Sequence, residues 1–174
     1  LGQLDAAVKC YEKAIAVNPD HAEAHNNLGV TLKELGQLDA AVRSYEKAIA
    51  IKPDYTEAHS NLGNAFKELG QPDAAVKFYE KALAVNPDSA EAYYSLTIAY
   101  SNLGLTFQEL GQPDEAIKFY EKAIAIKPDY TEAHSNVGIA YVYNNLGIAI
   151  HSLGQLDAAF KCYKNALAIK PDYA

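Results

Sequence analysis

The segment EAHSNLG at 57–63 repeats EAHNNLG at 23–29, and in both a second glycine follows seven residues after the first. Gly29 and Gly63 lie 34 residues apart, and Gly2, Gly36 and Gly70 keep the same step of 34. A fixed period of this length marks supersecondary units stacked in a row, each burying its core only against its neighbours. The period predicts a solenoid, and it assigns most residues that look functional to repeating structural positions.

Residues 56–89 serve as the reference unit. Ala58, Leu62, Ala65, Phe66 and Leu69 follow three- and four-residue spacing, which is one face of a helix. Gly70-Gln71-Pro72 ends it, and Pro72 suits the first position of a second helix whose first turn carries Asp73. Ala75, Val76, Tyr79, Ala82 and Leu83 form that helix's apolar face, and Pro87 stops it near Asn86. Asp54 with Glu57 has the spacing of a capping box for the first helix, repeated as Asp20/Glu23, Asp88/Glu91 and Asp129/Glu132. Gly63 inside a helix costs about 1 kcal/mol relative to alanine. Its recurrence predicts close approach by a neighbouring helix, with Ala75 and Ala82 as small partners.

Leu62, Gly63, Phe66, Ala75, Tyr79, Ala82 and Pro87 together resemble the signature of the tetratricopeptide repeat. One departure is the histidine at 25, 59 and 134, where that family usually places tryptophan. The resemblance implies an all-α fold, a right-handed α-solenoid of antiparallel helix pairs spanning 1–174. Its units are a partial repeat at 1–21, then 22–55, 56–89, 90–130 and 131–174. The first helices are expected to line a concave face that binds protein or an extended peptide, without catalysis. Two other readings are a repeat arm of a larger enzyme, such as a glycosyltransferase, and a solenoid that self-associates through uncapped ends.

The last two units are long. Gly70 to Gly111 spans 41 residues and Gly111 to Gly154 spans 43, against the period of 34. Each excess repeats part of a first helix, SLTIAY running into SNLGLTF and SNVGIAY into NNLGIAI. Seven extra residues turn a helix by roughly 700°, so its apolar face drifts only about 20°. Nine turn it by roughly 900° and reverse the face. A continuous helix is therefore expected through 91–110, and a break or bend between 138 and 147.

The ten aspartates all sit at predicted helix starts, where helix termini account for them better than paired catalytic acids do. His25 and His59 occupy equivalent positions on successive first helices, about 10 Å apart, too far for ligands each about 2 Å from one zinc. Packing explains them better, so no metal and no cofactor are expected. The ten glycines fall in two columns, and none forms a phosphate loop. Tyr11, Tyr45, Tyr79, Tyr120 and Tyr163 share one apolar column, which reads as core.

Asparagine is left over by these structural roles. Asn27 and Asn61 precede the Leu-Gly pair, and Asn102, Asn136 and Asn145 stand in the same position of the repeated segments. An amide donates and accepts at once, which suits the main chain of an extended peptide. The column resembles the asparagine ladder in the repeat arm of O-linked N-acetylglucosamine transferases, interrupted here by Ser95. With Asn64, Lys33 and Lys67 it makes up the expected peptide-contacting set. Co-chaperones of this family grip acidic tails with Lys and Arg, whereas the inner surface here is expected to show Asn26, Ser60, Glu23 and Glu57. An acidic-tail clamp does not fit.

The bulk properties agree with a protein partner. A net charge of −7 disfavours nucleic acid and anionic membrane, which need clustered cations. No apolar run approaches the length of a membrane span. Cys10 and Cys162 occupy equivalent positions of distant repeats and are not expected to pair, which favours a reducing, cytoplasmic setting.

Overall fold

The computed structural model describes residues 2–126 and 133–171, with the backbone alone for 133–137. Asp129, Glu132 and Asp172, and the side chains of His134 and Asn136, therefore lie outside the described residues.

The fold is an all-α helical-repeat solenoid. Its elements are α1 (Gly2–Val17), α2 (Ala22–Glu34), α3 (Leu38–Ile51), α4 (Thr56–Glu68), α5 (Pro72–Val85), α6 (Ala90–Glu109), α7 (Pro113–Ala125), α8 (Ala133–Ser152) and α9 (Leu156–Ile169). They form two compact units, Leu1–Ala92 and Tyr93–Ala174. In the first, α2 pairs with α3 and α4 with α5, α1 and α3 pack against the first helices that follow them, and α2 meets α4 directly. In the second, α8 packs against both α7 and α9.

The second glycine column ends the first helices. Gly36, Gly70, Gly111 and Gly154 all have φ between 70° and 76°, a left-handed conformation costly for any residue with a Cβ. At Gly36 the Gln37 N–H donates to Leu32 O and the Gly36 N–H to Lys33 O, which together satisfy two carbonyls left open by the helix end. Helix starts differ from the sequence expectation. The residues that cap α2 and α4 are His21 and Tyr55, not Asp20 and Asp54. For α6, Ser89 Oγ accepts from the Ala92 N–H, in place of the expected Asp88. The preceding Asn-Pro-Asp turn explains the shift at 18–20 and 86–88. Asn18 Oδ1 accepts from the Asp20 N–H and Asn86 Oδ1 from the Asp88 N–H, so the turn uses the aspartate backbone before the helix begins. On the second helices the acids are placed as expected, with Asp39, Asp73, Asp114 and Asp157 in the first turn.

The first glycine column packs against tyrosine rather than alanine. A Cβ built on Gly63 would lie 2.6 Å from Tyr79 Cε1, and Gly29, Gly104 and Gly147 stand in the same relation to Tyr45, Tyr120 and Tyr163. Tyr45, Tyr79 and Tyr120 are fully buried, so the small residue is on the first helix and the large one on the second. Leu32, Ala41, Tyr45, Leu62 and Ala65 form the core of the first unit around this contact.

A second aromatic layer lies beside it. Phe66 stacks on Phe78 at 5.4 Å, and His59 on Phe78 at 6.3 Å. Phe107, Phe119 and Tyr100 repeat the arrangement, so Tyr100 stands where His59 does. The Lys81 ammonium sits 4.9 Å from the Phe78 ring centroid and Lys122 5.4 Å from that of Phe119, which keeps these rim rings covered.

The long units resolve differently from one another in sequence but alike in structure. The expected continuous helix through 91–110 is α6, 20 residues long. The expected break between 138 and 147 is absent, because α8 is also one helix of 20 residues. Reversing the buried face does not require breaking the backbone, whose hydrogen bonds are local. Instead α8 offers different sides to different neighbours: Gly147 faces Tyr163 of α9, while Gly138 has Tyr94 of α6 as its near neighbour, at 3.9 Å. Ala140, Val142, Leu146 and Ala149 are buried along its length.

Candidate functional site

The polar residues between α2 and α4 form a connected seam. Asn26 is fully buried, donates from Nδ2 to Glu57 Oε1 at 3.1 Å, and accepts at Oδ1 from Asn61 Nδ2 at 3.0 Å. At the other end of the seam Lys33 Nζ donates to Glu68 Oε1 at 3.1 Å. One face of α2 thus carries Asn26 and Lys33, and the facing side of α4 carries Glu57, Asn61 and Glu68. Burial raises the Tyr55 phenol above its ordinary pKa, the nearby Glu57 and Glu23 charges add to this, and a hydrogen bond with Asn26 opposes it. The half-exposed Lys33–Glu68 pair is worth well under about 1 kcal/mol, so the buried amide network is the stronger constraint.

This arrangement sorts the expected contact residues into three groups. Asn27, Asn102 and Lys67 are exposed. Asn61, Asn64 and Lys33 are half-buried and already hold structural bonds, Asn64 Oδ1 accepting from the Tyr79 hydroxyl at 2.8 Å. Asn145 is buried, with its Nδ2 lacking a partner. Asn136 lies outside the described side chains. The asparagine column is therefore not a uniform row of exposed amides. Asn61 is brought to Asn26, and in the first unit the exposed surface is left to Asn27 and Lys67.

Asn26 is the residue that the sequence reading placed wrongly. It and Ser60 were expected on the inner surface, and both are buried. Ser101 occupies the same column of the repeat and is buried too, at 4% exposure. The available signal was the column itself: small polar residues recur there next to the asparagines, on the side of each first helix that turns toward another first helix.

The histidines serve packing. His25 Nε2 lies 2.9 Å from Pro19 O and His59 Nε2 2.9 Å from Pro53 O, so each ring ties its helix to the turn before it. Among the described residues no cluster of three or more His, Cys, Asp or Glu is arranged to hold a metal, and no helix is long and apolar enough to cross a membrane. Cys10 is exposed and Cys162 buried, both free; burial, with Glu121 adding, raises the Cys162 thiol pKa.

Comparison with known proteins agrees with this geometry. Family models described as tetratricopeptide repeat match residues 54–129 and 140–173, and one described as TPR repeat matches 1–36 and 31–70. Among solved structures, a crystal structure of MamA is 30% identical, with a TM-score of 0.68 over 98% of this chain and 90% of that one. A second structure of MamA protein is also 30% identical, with a TM-score of 0.69 over 98% and 84%. YrrB, described as a TPR protein with an unusual peptide-binding site, is 18% identical, with a TM-score of 0.56 over 95% of each chain. No curated protein matches the chain. The chain belongs to the tetratricopeptide repeat family.

Proposed function

We propose that this protein is a non-catalytic scaffold that binds an extended segment of a protein partner along the face formed by the first helices α2 and α4. The observation that carries this reading is the Asn26–Asn61–Glu57 network, anchored on the buried Asn26, which fixes the two helices side by side and leaves Asn27 and Lys67 presented next to it. A rigid polar strip with exposed amides pairs with a main chain at little ordering cost. The likeness to YrrB, whose peptide-binding site is described as unusual, supports a peptide as ligand. Glu23, Glu57 and Glu68 border the strip and offset Lys33 and Lys67, which favours a neutral or mildly basic segment over an acidic tail. Selection of linear peptides from a displayed random library, followed by calorimetry on a selected peptide, tests the proposal. Asn27→Ala and Lys67→Ala should each weaken binding by about 1 kcal/mol, roughly fivefold, without changing the melting temperature. Unchanged affinity in the double variant would remove this face as the site.

A second reading is self-association through α9. Phe160 is 68% exposed, Leu156 62% and Leu167 47%, a cluster that a second copy would cover with favourable burial of apolar area. Phe160→Asp should then lower the apparent mass in concentration-dependent sedimentation. A wild-type chain that stays monomeric across the range would end this reading.

A further inference from the structure

Four glycines of the first column, Gly29, Gly63, Gly104 and Gly147, carry a tyrosine ring so close that a Cβ would overlap it, at 2.5–2.6 Å. Gly138 is the exception. Among the described residues a Cβ there would meet only Tyr94 Cε2, at 3.9 Å, and a cavity of about 90 Å³ opens beside it. The cavity is lined by Thr97, Ile98, Ser101 and Asn102 of α6 and by Gly138, Tyr141 and Val142 of α8. Nine residues separate Gly138 from Gly147, so the side of α8 carrying Gly138 points away from α9 and its tyrosine.

The polar groups of this cavity are unevenly satisfied. The Thr97 hydroxyl donates to Tyr93 O at 3.0 Å. Ser101 is 4% exposed and its Oγ has no hydrogen-bond partner. Its column-mate Asn26 fills the equivalent place between α2 and α4 and bonds to Glu57 and Asn61. The shorter serine leaves both empty volume and an unused hydroxyl, a costly pairing unless something occupies it.

We propose that the Gly138 cavity is a socket for an aromatic side chain, tyrosine in preference to phenylalanine, of an extended protein segment that binds the second unit. The fold itself shows what fits against a glycine of this column: a phenol ring packed flat on the helix backbone. It also shows how the hydroxyl is met, through the acceptor Asn64 for Tyr79 and the acceptor Gln108 for Tyr120. Ser101 supplies that partner here. The volume is below the ~150 Å³ that admits benzene into a closed cavity, so the ring enters edge first and remains partly at the rim, between Asn102 and Tyr141. Asn102 lines the socket and is exposed, so its amide offers a main-chain contact beside the side-chain contact. This socket rests on the peptide-binding reading for its biological ligand, but not for its test.

Amide spectra of the full chain, titrated with 4-methylphenol and separately with toluene, test the socket without any peptide. The expected result is that 4-methylphenol shifts Thr97, Ser101, Gly138 and Val142 at millimolar concentration, with toluene several-fold weaker. Ser101→Ala should abolish the difference between the two probes, and Gly138→Leu should abolish both sets of shifts in a chain that keeps its helical circular dichroism. Absence of 4-methylphenol shifts at these residues, or their survival in Gly138→Leu, would overturn the socket. So would an unchanged preference in Ser101→Ala, which also covers the case where Gly138→Leu fails to fold. If a selected peptide loses affinity with Asn27→Ala while 4-methylphenol does not bind, the binding face stands and the socket falls.

Discussion

The Tyr79 ring occupies the space that a side chain at Gly63 would need, with Tyr79 Cε1 2.6 Å from the position of a Cβ. The ring cannot swing aside, because it is fully buried and its hydroxyl is held by Asn64. Gly63→Ala should therefore cost about 1–3 kcal/mol through overpacking, enough to outweigh the ~1 kcal/mol that alanine recovers in helix propensity. Gly138→Ala should behave oppositely and gain up to about 1 kcal/mol, since among the described residues its Cβ meets only ordinary contact with Tyr94. Urea denaturation of the two variants gives both signs.

Tyr45 and Tyr79 are equivalent in packing and unequal in hydrogen bonding. Asn64 accepts from the Tyr79 hydroxyl, but the equivalent position on α2 is Val30, and the buried Tyr45 hydroxyl has no partner. Tyr79→Phe should lose about 1 kcal/mol, while Tyr45→Phe should be neutral or stabilising. Val30→Asn should stabilise the wild type and do nothing in a Tyr45→Phe background. Thermal melts of the four chains complete that cycle.

Asn26→Ala removes a buried side chain and leaves the half-buried Asn61 and the exposed Glu57 without their partner. A loss of about 1–3 kcal/mol follows from the two hydrogen bonds given up, at about 0.5–1.5 kcal/mol each. Asn27→Ala, one residue away and exposed, should be within about 0.5 kcal/mol of wild type. Equal melting temperatures for the two variants would contradict the buried network.

Alkaline pH should destabilise the chain through its core tyrosines. Burial, with Tyr141 and Glu109 adding, pushes the Tyr120 phenol from 10.0 up to about 12. Burial raises Tyr45 further, with the Glu68, Glu34 and Glu57 charges adding. The native state then holds protons that the unfolded chain releases, so stability is fully present below pH 10 and falls between about pH 10 and 12. Each such tyrosine contributes a slope of about 1.4 kcal/mol per pH unit in that window. Tyr120→Phe should flatten the fall, as read from urea midpoints at pH 9 and 11.

How much of this was legible in sequence follows from the range of each interaction. Gly63 and Gly70 differ in role although both recur at the same period: one is a packing contact, the other a left-handed turn. The turn was readable from Gly70-Gln71-Pro72, because a helix end is a local matter. The contact was readable only as a demand for closeness. That a buried tyrosine, rather than Ala75 or Ala82, meets Gly63 depends on how the two helices lie against each other.

The long units show the same division. The amino-acid sequence by itself determined the helices, their lengths in the regular units and the membership of the Gly and Tyr columns, because period and capping are encoded within a turn or two of chain. It also determined that the nine-residue excess reverses a face. Only the tertiary structure decided what the reversal does. Helix α8 stays whole because backbone hydrogen bonds are indifferent to which side is buried, and α6 and α9 take opposite sides of it. The same holds for Asn26, Asn61 and Asn145. Their amides look alike in sequence, but exposure and pairing are set by the helix across the seam, and one-dimensional periodicity carries no information about that neighbour's facing residues.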